Sequence, residues 1–198
     1  MSLRSGLFLL LAAFFALPAC AQVANEKWQP VKKEPSAHTL SYSATATLLG
    51  KPTPVSLKFF CDTTRSSTET GALGFDLTID QIATLAPFDF EPFEGPDAPA
   101  ARRNLMKITI TRPGKPPLVV NTSAAGWSPD GPNFAFGISD ESYRAGTTSR
   151  TLLRALADGA DTFAISITDS KNPKVKLELS VPVGQKTADF KALLAGLK

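Results

Sequence analysis

Residues 86–103, APFDFEPFEGPDAPAARR, gather the carboxylates of Asp89, Glu91, Glu94 and Asp97 with the phenyl rings of Phe88, Phe90 and Phe93, and close on Arg102 and Arg103. Two chemistries need carboxylates this dense. A pair held at a fixed separation performs glycoside hydrolysis, and several oxygens converging on one point hold calcium. Both require rigidly spaced groups. A run carrying prolines at 87, 92, 96 and 99 has no regular period to supply them, and the Asp-x-Asp-x-Asp-Gly calcium pattern is missing. The expectation is a long loop whose rings fasten it to the domain while the acids face outward. A carboxylate-dependent hydrolase or a calcium-dependent carbohydrate-binding domain acting at this loop is the alternative.

Other chemistries lack their residues. His38 is the only histidine, read as an exposed residue at a strand start, so a His-dependent triad and a multi-histidine metal site are excluded. Gly50-Lys51 and Gly71-x-x-Gly74 lack the spacing of a phosphate loop, and neither Ser-x-x-Lys nor Gly-x-Ser-x-Gly occurs. No catalytic residue, metal site or cofactor is assigned. Trp127, before Ser-Pro-Asp-Gly, reads either as a lid on the core or as a binding anchor. Arg150 and Arg154, one helical turn apart and joined by Arg144, read as a solvated polar face or an anion-recognition face.

The chain begins with a secretory signal: Arg4, the uncharged run Leu7–Leu17, then small residues at Ala19 and Ala21. Leu-Pro-Ala-Cys-Ala-Gln admits two cuts. Cleavage after Ala21 gives a periplasmic or secreted protein, whereas a lipobox reading makes Cys20 the lipidated residue of a membrane-anchored lipoprotein. Residues 22–37 then form a flexible arm or tether, and residues 38–198 a single domain. Losing residues 1–21 removes one arginine and no acid, so 20 basic and 18 acidic residues remain, too little charge to recruit nucleic acid. With Cys20 discarded or lipidated, Cys61 has no partner and is expected as a buried thiol.

The elements that must position these residues are mostly strands. Leu40, Tyr42, Ala44, Ala46 and Leu48 alternate with Ser and Thr, and Val55, Leu57 and Phe59 continue the pattern after a turn at Gly50-Lys51-Pro52. Leu73, Phe75, Leu77 and Ile79 alternate with Asp76 and Thr78, and Phe134, Phe136 and Ile138 with the small Ala135 and Gly137. The last pair carries Phe163, Ile165 and Ile167 opposite Val175, Leu177, Leu179 and Val181. Two helices are expected: 148–159, capped at Thr148 or Ser149, and one from Thr187 with Phe190, Leu193, Leu194 and Leu197 on one stripe. About eight strands and two short helices imply a mainly β protein, an antiparallel β-sandwich or open barrel.

The order LKFFC, GFDLTI, Trp-Ser-Pro-Asp-Gly with an aromatic strand, LLRAL, a strand pair and FKALLAGL resembles the layout of small exported proteins associated with type VI secretion. Those carry a second cysteine after the last helix that pairs with the one after the early strand; this chain ends LLAGLK without it. The resemblance implies a non-enzymatic envelope role. With the rings and acids of the loop, it sets the functional expectation: a non-catalytic protein-interaction module of the cell envelope, an inhibitor, immunity-type or secretion-accessory protein. Its binding residues would be Phe88, Asp89, Phe90, Glu91, Phe93, Glu94, Asp97 and Trp127, and its partner another envelope or secreted protein, a basic one by charge complementarity. No membrane-spanning segment follows the signal.

Overall fold

A computed structural model describes residues 23–64, 71–95, 104–123, 125–195 and 197. Cys20, Asp97, Arg102 and Arg103 lie outside the described residues. Two antiparallel sheets form a β-sandwich with no closed barrel among the described residues. The larger has the order β1(Val23–Trp28), β3(Ala37–Leu48), β4(Lys51–Asp62), β5(Ala72–Ile79), β9(Phe134–Glu141), β8(Ala125–Trp127), with the two-residue β2(Lys32–Lys33) also on β3. The smaller runs β11(Lys176–Pro182), β10(Thr162–Thr168), β6(Met106–Arg112), β7(Lys115–Thr122). The helices are α1(Thr148–Ala157) and α2(Thr187–Leu193).

The alternation read from the sequence is the alternation the sheets use. Leu40, Tyr42, Leu57, Phe59, Phe75 and Leu77 all face inward and are at most 3% exposed. Across the sandwich Phe163 meets Phe59 and Phe75 edge-on, at centroid distances of 5.4 and 5.3 Å. Each fully buried ring contributes about 1.5–3 kcal/mol. The β3–β4 turn tip is Leu49-Gly50, both at positive φ, one residue earlier than the turn expected at Gly50-Lys51-Pro52, and Lys51 and Pro52 already belong to β4. Two positive φ values suit the twist of a two-residue hairpin.

Eleven strands stand among the described residues where about eight were expected, and the three extra ones explain themselves. β1 and β2 pair with β3 and extend the sheet, so Val23–Trp28 and Lys32–Lys33 are strand within the segment expected as a flexible arm over 22–37. The anchor is Trp28, whose ring lies 4.8 Å from Tyr42, 6.2 Å from Phe190 and 6.4 Å from Phe59. Polar β1 has no alternation to reveal it, because both of its faces are largely exposed. The third extra strand, β8, is too short for any period to register.

Helix α1 starts one residue earlier than expected: Thr147 is the cap, its hydroxyl accepting the Arg150 N–H. In α2 Thr187 is the first helical residue and makes no side-chain cap. His38 is not an exposed strand start. It is half-buried, and its Nδ1 lies 3.1 and 3.3 Å from the Ala192 and Leu193 carbonyl oxygens at the end of α2, so that nitrogen carries the proton and donates. Orphan carbonyls at a helix C-terminus need such donors.

Candidate functional site

The aromatic loop is a structural buttress. Phe88, Phe90 and Phe93 are 6%, 8% and 0% exposed, so none of the three presents the contact surface expected of it. Phe90 and Phe93 pack on Phe136, at 6.0 and 5.5 Å between centroids, and Phe90 also on Phe134 at 5.2 Å. Rings of that area gain more by entering the core than by waiting for a partner. The bond from Ala86 to Pro87 is cis, and a 3-10 turn spans Glu91–Phe93.

The described acids of the loop have separate tasks. The Asp89 carboxylate pairs with Lys171 and also accepts the Glu91 N–H. Glu94 accepts the Ser128 hydroxyl at 3.0 Å, and Glu91 is exposed. They converge on no common point. Among the described residues, no three groups of His, Cys, Asp or Glu gather as a metal site would require. The arginine cluster is also dispersed: Arg150 is 6% exposed and donates to the Ser142 carbonyl, while Arg144 pairs with Glu141. Cys61 is a buried thiol, 2% exposed, pushed up to about 11 by burial against the opposing charge of Arg150.

What the loop does position is β8. Glu94 bridges Gly126 in parallel, and the Gly95 N–H donates to the Gly126 carbonyl at 3.0 Å. On its other side Gly126 pairs with Phe136, so tightly that an added Cβ would stand 2.3 Å from the Ala135 carbonyl oxygen. Clamped from both sides, β8 holds Trp127 on the outer face of the large sheet, 47% exposed. Of the expected binding residues, Trp127 is the one that offers a large accessible ring.

The indole lies over Gly137. A Cβ there would be 3.3 Å from two atoms of the six-membered ring and 2.7 Å from Asp76 Oδ1, so glycine is what lets Trp127 and Asp76 share the space. Sheet register sets the surroundings. Along one row stand Ser41, Lys58, Asp76, Gly137 and Ala125; along the next, Ser43, Ser56, Thr78, Ala135 and Trp127. Two hollows flank the indole. One, of about 370 Å³, is lined by Asp76, Gly95, Gly126, Trp127 and Ser139; the other, of about 350 Å³, by Ser43, Ser56, Lys58, Asp76, Thr78 and Trp127.

Asp76 makes no hydrogen bond or ion pair among the described residues. Burial raises its carboxyl above the ordinary carboxylate value, with Lys58 on the neighbouring strand opposing the rise. A half-buried carboxylate without a donor is an acceptor available to a ligand. In the sequence Asp76 and Thr78 stand out only as the polar face of a strand. The small Ala135 and Gly137 signal close backbone approach or a bulge, and in the folded sheet that room at Gly137 is what the indole and Asp76 share. No protein-family model, curated protein or solved structure matches the chain.

Proposed function

We propose that the chain is an exported, non-catalytic recognition module of the cell envelope whose contact surface is the outer face of the large sheet around Trp127. Inhibitor, immunity-type and secretion-accessory roles are forms of this reading. The observation that carries it is the half-exposed indole, clamped through β8 and set between two hollows beside the Asp76 carboxylate, which takes no hydrogen bond from the described residues. Rigid aromatic anchors next to a few polar groups are what recognition surfaces are made of. The acidic loop contributes by fixing that surface in place, with Glu94, bonded to the Ser128 hydroxyl, next to Trp127.

Cosedimentation of the purified protein with envelopes of the producing cell tests the reading. Wild type is expected in the pellet, Trp127→Ala largely in the supernatant, and Val119→Ala, altered at an exposed position on the other sheet, in the pellet. A pelleted fraction equal for wild type and Trp127→Ala overturns the assignment of the face, and a wild type that stays in solution overturns the module itself.

A further inference from the structure

We propose that the Trp127 face is a saccharide-binding cleft, in which the indole is the stacking platform and Asp76 and Lys58 hydrogen-bond the ring hydroxyls; this rests on that face being the recognition surface. Charge decides the ligand class. Lys58 and Asp76 are direct partners in the β4–β5 register and project from the same side of the sheet. An anion brought to this row meets the Asp76 carboxylate, and a cation, including a lysine or arginine of a protein partner, meets the Lys58 ammonium. A neutral hydroxyl suits both, because it donates to the carboxylate and accepts from the ammonium.

The adjoining row repeats the preference. Ser43, Ser56 and Thr78 are successive partners across β3, β4 and β5, so three hydroxyls line up beside the charged pair. The indole supplies the apolar half of the match: a pyranose has a face of C–H groups, and laying it on an exposed ring removes apolar surface from both. Space is available on either side of that ring, in the hollows of about 370 and 350 Å³. Asp76 and Trp127 line both hollows, so a ligand in either one meets the same carboxylate and the same ring.

Desolvation of Asp76 is the cost of holding an acceptor ready. Its raised carboxyl has a consequence for folding: a carboxyl whose folded value exceeds its unfolded value loses stability as pH rises through the folded value, so Asp76→Asn removes that loss at neutral pH. The variant is expected to melt at or above the wild-type temperature at pH 7, which separates its binding phenotype from misfolding.

Cellotetraose, chitotetraose, xylotetraose and maltotetraose, each titrated to about 10 mM, and protease-treated peptidoglycan sacculi are the probes. At least one is expected to bind saturably, a tetrasaccharide with Kd in the range of about 10 μM to 1 mM and a shift in tryptophan emission. Trp127→Ala and Asp76→Asn each weaken that binding about tenfold or more, and Val119→Ala leaves it unchanged. Gly137→Ala removes no polar group yet abolishes binding, because its methyl takes the space shared by Asp76 and the indole. Failure of all five probes overturns the saccharide assignment. Envelope cosedimentation that persists in that case leaves the recognition face standing with a different partner, and its loss sinks both. Saccharide binding untouched by Trp127→Ala and Asp76→Asn overturns the location.

Discussion

Asp169 shows what a fully employed carboxylate looks like in this protein. It is 3% exposed, and its oxygens accept N–H groups from Asp89, Lys171 and Asn172 at 2.8, 2.8 and 2.7 Å. Burial opposes its charge, but those donors and the nearby Lys171 hold the carboxyl below its ordinary value of 3.8. A lowered folded value means stabilisation that is complete above pH 3.8 and lost as pH falls through the folded value. Asp169→Asn keeps one acceptor oxygen and loses the charge, so it should cost about 1.5–3 kcal/mol at pH 7. The gap from wild type should close in urea titrations repeated at progressively lower pH below 3.8. A gap that stays constant with pH is the contrary result. The turn that carries Asp169 is plain in Asp-Ser-Lys-Asn-Pro-Lys; its bond to Asp89 is not, since the two meet only when the β10–β11 turn reaches the aromatic loop.

At the scale of elements, the loop and β8 form one device. The three rings enter the core, the chain beyond them runs into Glu94 and Gly95, and those two residues bond the edge of β8. Phe93 is the fully buried member, stacked on Phe88 and edge-on to Phe136. Phe93→Ala should therefore cost about 3–5 kcal/mol in denaturant unfolding. Hydrogen exchange should locate the damage, with the Gly95 amide losing protection to a greater degree than amides of β10. Equal loss at both sites would mean that the loop does not act as a separate clamp. The burial of the rings could be argued from their chemistry alone. The clamp could not, because it joins a three-residue strand to a segment outside any regular element.

The whole molecule depends on its first described strand. Trp28 brings β1, β3 and α2 together, with Phe59 and Phe190 beneath it and the Lys186 ammonium 5.9 Å over the ring. With no internal disulfide among the described residues, such contacts must hold the sandwich together. Trp28→Ala is expected to lose about 3 kcal/mol of unfolding free energy, the low end for a ring that is only partly buried. The loss should fall on the whole cooperative transition, so circular dichroism and tryptophan emission should move together; a change confined to the first strand would show that β1 is an appendage.

Read as a string, the chain already specified about eight strands with the inward faces of most of them, two amphipathic helices, a fastened aromatic loop and a thiol expected to be buried. Each follows from local periods, from turn residues, or from what a side chain can afford to leave in water. The tertiary structure alone decided that Lys58, Asp76, Gly137 and Trp127 share one patch of one face. They come from β4, β5, β9 and β8, and their meeting depends on the register of every strand between them. Register is set by burying the opposite, apolar face as a whole, so no local pattern around any one of the four residues carries it.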